Sequence, residues 1–180
     1  MLFKRSLFAL VILFSFASLH SQELEIYATD SIAIGSISEF TQGTIGHGIG
    51  FSYTIPPVPF LGASVRIEHS HNLLSSNSLA SWNNFSFMAG LQIVLTPSDF
   101  IILKPELDAG CNISLLRPKT LSTTTYTDLL LQLSFNIAFY SKKLETKNLA
   151  FVLRPFYRLL PEADNIGQYA GINAGIKLDF

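Results

Sequence analysis

Along most of this chain every second residue is apolar, and that alternation, more than any other feature, limits what it can fold into. Leu129, Leu131, Leu133, Phe135, Ile137 and Phe139 alternate with Gln132, Ser134, Asn136 and Tyr140. Ile101, Leu103, Pro105, Leu107, Ala109, Cys111, Ile113 and Leu115 alternate with Lys104, Glu106, Asp108, Gly110, Asn112 and Ser114. A last run sets Ala170, Ile172, Ala174, Ile176, Leu178 and Phe180 against Gly171, Asn173, Gly175, Lys177 and Asp179. Successive side chains of a strand point to opposite faces, so each run predicts a strand with one apolar and one polar side. Similar runs occupy Ile45 to Ile55, Leu61 to His71, Phe85 to Leu95 and Phe151 to Leu159. A first strand lies within Leu24 to Ile37, its register open because the alternation slips near Asp30. Eight strands joined by short connections rich in Pro, Asn, Ser and Thr predict an all-β antiparallel meander.

Composition narrows the setting. Hydrophobic residues make up 48% of the 180 and charged residues only 14%, too apolar for an ordinary water-soluble domain. No stretch approaches the ~20 consecutive apolar residues that a membrane-spanning helix needs. The 15 Phe and 6 Tyr exclude a disordered tract, and 12 Lys and Arg against 13 Asp and Glu argue against a nucleic-acid partner.

The N-terminus is a separate object. Lys4 and Arg5 precede an apolar segment from Leu7 to Phe16, the pattern of a secretory signal peptide. Residues 1–21 are therefore expected to be removed, leaving 22–180 as the folded domain. Cys111 is the single cysteine, so no internal disulfide framework exists despite the exported context.

Alternation fits both a soluble barrel with an apolar interior and a membrane barrel with an apolar exterior. The polar face decides between them. It carries few Lys and Glu and collects Gly46, Gly48, Gly50, Gly62, Gly90, Gly110, Gly171 and Gly175. Small residues suit a crowded barrel interior and weaken a strand exposed to water. The apolar face of the seven strands with a readable register has no formal charge, as lipid contact demands at ~2–4 kcal/mol per midplane Arg or Lys. Closing eight strands also pairs every backbone group in hydrocarbon. The expected fold is an eight-stranded up-and-down transmembrane β-barrel.

The C-terminal octet Asn173-Ala174-Gly175-Ile176-Lys177-Leu178-Asp179-Phe180 resembles the terminal signal of bacterial outer-membrane β-barrels: a polar residue, Gly two on, a hydrophobic residue and a final aromatic. Asn173, Gly175, Leu178 and Phe180 hold the matching positions, with Leu178 where many members have an aromatic. In size and strand count the chain resembles the small eight-stranded family that includes OmpX, the OmpA membrane domain and OmpW. The resemblance implies an outer-membrane location, outer-membrane lipids as surroundings, and periplasmic chaperones and the barrel assembly machinery as partners in biogenesis. It implies no cofactor and identifies no surface ligand.

With the N-terminus in the periplasm, the inner turns are Pro56 to Phe60, Thr96 to Asp99 and Ser141 to Asn148. The outer loops are Glu39 to Gly43, Asn72 to Asn83, Arg117 to Thr127 and Pro161 to Gln168. Trp82, Phe85, Tyr126 and Tyr157 would mark the outer interface, and Tyr53, Phe100, Phe139, Phe151 and Phe180 the inner one.

Two groups of residues carry the chemistry. On the lumen side Arg66, Lys104, Arg154, Arg158 and Lys177 oppose Glu68, Glu106, Asp108 and Asp179, in a space barely wide enough for side chains. Such charges must pair, which predicts a plugged core; a narrow pore using them for ion preference is the alternative. On the outer side, folding the second strand onto the third about the Pro56 to Phe60 turn sets His47 opposite His69, with His71 one diagonal step away, all at headgroup height. These histidines are read as interface residues able to meet a divalent metal or lipid phosphate, with no carboxylate or Cys to complete a metal site. Three functions fit such a barrel: a structural or surface-interaction protein acting through its loops, a small passive channel or OmpW-like conduit for small apolar molecules, and a lipid A modifying enzyme. The first is preferred. Ser70, between His69 and His71, faces inward and no carboxylate sits on the outward face, so a hydrolytic triad is not assembled.

Overall fold

The computed structural model describes residues 22–35, 44–58, 60–72, 79–118, 122–140, 148–161 and 166–180. The proposed signal peptide and half of the predicted outer-loop residues lie outside them. The strands are β1 (Glu23–Ile34), β2 (Ile45–Val58), β3 (Leu61–Asn72), β4 (Leu79–Ile93), β5 (Leu95–Ser98), β6 (Ile101–Pro118), β7 (Thr124–Tyr140), β8 (Leu149–Pro161) and β9 (Ile166–Asp179). All pairings are antiparallel between neighbours, β1 also pairs with β9, and β4 pairs with β6 to close the ring. The short β5 continues β4 past Val94 and folds onto β6, so the wall consists of eight strands. At the seam the Phe180 amide donates to the Gln22 carbonyl at 2.9 Å, extending the β1–β9 ladder to its end.

The ring is staggered. A circuit of paired residues from Ser134 through Phe156, Gly171, Ser31, Gly46, Asn72, Trp82 and Leu116 returns to β7 at Thr124, ten residues away. For eight strands with ordinary spacings that stagger tilts each strand by about 40° from the barrel axis.

Burial is inside out. Arg66, Lys104, Arg154 and Lys177 are 1% exposed, whereas Leu107 and Leu133 are 62% and 61% exposed. A largely apolar exterior around a charged interior is the arrangement that hydrocarbon surroundings stabilise. Strand β1 obeys the same parity: Glu25, Tyr27 and Thr29 are buried and Ile26 and Ile32 exposed. The apparent slip near Asp30 is a charged residue placed on the outer face, not a change of register.

Interior glycines make room for their neighbours. A Cβ on Gly50 would stand 2.3 Å from the Tyr27 ring, and one on Gly90 2.1 Å from the Asp108 carboxylate. These two sites have no space for any side chain while Tyr27 and Asp108 keep their positions.

Two expectations are corrected. Strand β2 continues to Val58, which pairs with Leu61, and across an irregularity Ile55 pairs with Ala63; relative to a hairpin that closes Ile55 on Leu61 the register is displaced by two residues, so His47 pairs with His71 and His69 with Ile49. Trp82 belongs to the interior, not to an outer girdle: its ring packs edge-on to Tyr169 at 6.4 Å, beside buried Ala33, Met88, Leu130 and Leu160. Its even position on β4 gives it the parity of Asn84 and Ser86, both buried.

Candidate functional site: a charged interior between two apolar layers

The interior has three layers along the axis. At the end where β1 starts and β9 finishes, Ile102, Ala138, Tyr140, Ala150 and Val152 pack together. At the opposite end stand Ala33, Leu130, Leu160, Tyr169 and Trp82, with Met88 beneath. Ionic and amide side chains fill the space between.

The ionic layer is paired from strand to strand. Arg66 on β3 donates to Glu106 at 2.6 Å and to Asp108 at 2.9 Å, both on β6. Glu106 also accepts from Ser64 and lies 3.8 Å from the Arg154 guanidinium, which is paired with Glu25 on β1. Arg158 on β8 donates to Glu68 on β3 at 2.8 Å and to the Gln132 amide oxygen at 2.9 Å. Nearer the β1 start, Glu23 accepts from both Lys104 and Lys177, and Lys177 is 3.1 Å from Asp179 and bonded to the Tyr140 hydroxyl. Toward the other end Ser86, Asn84, Asn112 and Ser114 form a hydrogen-bonded group. A pocket between Ser70, Asn72, Asn112 and Arg158 leaves room for about one water molecule. In low dielectric these pairs are held by mutual attraction against a desolvation cost of several kcal/mol per ion, so each partner constrains the other's position.

All nine lumen residues singled out in the sequence lie in this layer. Glu23, Glu25 and Tyr27 were not singled out. Glu23 and Glu25 carry the negative charge that meets Lys104, Lys177 and Arg154, and Tyr27 donates to Glu68 at 3.3 Å. The alternation Glu23, Glu25, Tyr27, Thr29 contained the signal, but Asp30 on the complementary parity concealed it. Of the C-terminal signal residues, Asn173 is fully buried, Gly175 abuts Tyr27, and Leu178 and Phe180 are exposed on the outer face.

His47 and His71 are cross-strand partners, but each of the three outer histidines has its own side-chain neighbour. His47 Nδ1 is 2.6 Å from Asp30 Oδ1, His71 Nδ1 is 2.9 Å from Asn83 Oδ1, and His69 lies against Phe85 with ring centroids 4.6 Å apart. Asp30 therefore overturns the expectation of an outer face without a carboxylate. Among the described residues no three His, Cys, Asp or Glu side chains are grouped to hold a metal ion. Ser70 is buried in the interior, as its parity requires.

A closed antiparallel barrel with a lipid-compatible exterior and an ion-paired interior is an integral membrane β-barrel, of the small eight-stranded architecture found in bacterial outer membranes. Solved structures that share it include three bacterial proteins. Neisserial surface protein A superimposes with a TM-score of 0.71 at 13% identity, over 88% of this chain and 97% of its own. Ail, the attachment invasion locus protein of Yersinia pestis, gives 0.59 at 13% identity over 89% and 99%. OprG from Pseudomonas aeruginosa gives 0.58 at 12% identity over 89% and 96%. No protein-family model and no curated protein matches the chain.

Proposed function

We propose that this chain is an outer-membrane barrel with a closed interior, whose role is structural or surface-interacting and is exerted through the loops at the end away from the β1 start. The observation that carries this reading is the continuous interior: an apolar layer at each end and paired ions between, with Arg158 and Glu68 joined across the lumen. Ion passage would require breaking several buried pairs and displacing the Trp82 and Tyr169 rings, each costly. A surface role for the same architecture is represented by Ail, an attachment invasion locus protein.

In biogenesis the exposed Leu178 and Phe180, with Asn173 and Gly175, present the terminal signal to the assembly machinery, and residues 1–21 direct export. The test is planar-bilayer recording of the refolded barrel. The expected result is membrane insertion without steady conductance; stable unitary steps of uniform size would establish the channel reading instead.

A further inference from the structure

Asp30, His47, His71 and Asn83 stand in one row across β1, β2, β3 and β4, each the cross-strand partner of the next. The surface around them is apolar, with Ile32, Ile45, Ile49 and Ile67 all exposed. The Asp30 carboxylate can only accept, so His47 donates from Nδ1, and the Asn83 amide oxygen takes the Nδ1 hydrogen of His71 in the same way. Each imidazole is thus oriented by a neighbour, leaving its Nε2 without a protein hydrogen bond among the described residues. The His47 and Asp30 side chains are 68% and 59% exposed.

At its β1 end the row lies well inside the end of the strand. Strands tilted by about 40° advance about 2.5 Å per residue along the axis, which puts Asp30 about 10 Å inside the level of Ile34, an exposed residue at the end of the same strand. An ionisable group on a lipid-facing wall at such depth costs a few kcal/mol and marks a site of function.

Directly along the wall from Asp30 and His47 runs an apolar groove of about 700 Å³. Its floor is the cross-strand pair Ala28 and Ala174, and Ile26, Ile49, Phe151 and Ile176 form its sides. Ala28 is two residues from Asp30 on the same face of β1, and Ile49 is two from His47 on β2, so the apolar trough ends at the polar row.

The geometry points to a site for one membrane lipid with a phosphate and ammonium headgroup, an acyl chain lying over Ala28 and Ala174 and the headgroup drawn down onto Asp30, His47 and His71. Charged, each Nε2–H donates to a phosphate oxygen, and the second carboxylate oxygen of Asp30 accepts from the ammonium. Acid and base side by side match a zwitterionic headgroup, and the groove supplies the apolar contact that free phosphate would lack.

The test is native mass spectrometry of the refolded barrel in a maltoside detergent, titrated separately with phosphatidylethanolamine, a diacylglycerol of the same chains and inorganic phosphate. Wild type is compared with His47→Leu/His71→Leu and with Ala28→Leu/Ala174→Leu, and heat-modifiable gel mobility verifies that each is folded. Both variants place leucine where the exterior is already apolar, so folding is retained, and Asp30→Asn provides a milder third variant. Retention of one phosphatidylethanolamine by wild type, weakened at least tenfold in both double variants and weaker for diacylglycerol, supports the site. Equal retention by all proteins overturns it, as does equal binding of diacylglycerol or binding of inorganic phosphate as tight as that of the lipid. A dimer that forms through the row and excludes lipid would overturn it in favour of a self-association surface.

Discussion

Arg158 on β8 donates to Glu68 on β3 at 2.8 Å, and in the eight-strand ring these two strands lie opposite one another. The pair is a strut across the barrel diameter. Glu68→Ala leaves the guanidinium buried without its carboxylate, and removal of one partner of a buried pair costs roughly 3–5 kcal/mol. Urea titration of the refolded protein should show the midpoint falling accordingly, with Glu68→Gln less affected than Glu68→Ala. An unchanged midpoint for Glu68→Ala would remove the strut from the account of stability.

The assignment of faces has a direct test. Leu133→Arg and Ile176→Arg put a charge against hydrocarbon and should each cost ~2–4 kcal/mol and impair assembly, whereas Ser134→Arg introduces bulk into the interior and should fail by overpacking alone. Leu133 and Ile176 are 61% and 55% exposed and Ser134 is 3% exposed. Heat-modifiable mobility reports folding; normal assembly of both outward Arg variants would invert the faces.

Gly50 and Tyr27 face each other across the β1–β2 ladder. Gly50→Ala forces the methyl into the phenol ring, at a cost of about 1–3 kcal/mol by denaturant titration. Combined with Tyr27→Ala the same change should cost much less, because the obstructing ring is gone. Equal effects of Gly50→Ala in both backgrounds would show that the ring is not the constraint.

Trp82 is the only tryptophan and lies inside the barrel, packed on Tyr169. Its fluorescence in bilayers should therefore be quenched weakly by brominated lipid chains at every depth. Strong quenching by bromines near the interface would return Trp82 to the lipid-facing girdle.

The architecture and the polarity of its faces are written in the alternation of residues. Strict alternation over 129–139 or 170–180 allows only one face to meet lipid, and charge confined to the other face says which. Parity alone also puts Arg66, Arg154 and Glu106 inside, and the even position of Trp82 puts it there too, against the usual place of an aromatic residue at the membrane interface. Absolute register is another matter, because it depends on how strands close on one another. Closure of the β2–β3 hairpin on Val58 and Leu61, where the turn residues suggest Ile55 and Leu61, exchanges His69 for His71 as the partner of His47, and period two is blind to such a two-residue shift because it preserves parity. Strand β1 was the least legible, since Asp30 broke its pattern; only the pairing of β1 with both β2 and β9 shows that Glu23 and Glu25 complete the interior ion pairs while Asp30 turns outward to His47. Which acid meets which base depends on ring closure, which brings β3 opposite β8 and β1 within reach of Arg154 through contacts between residues far apart in the chain.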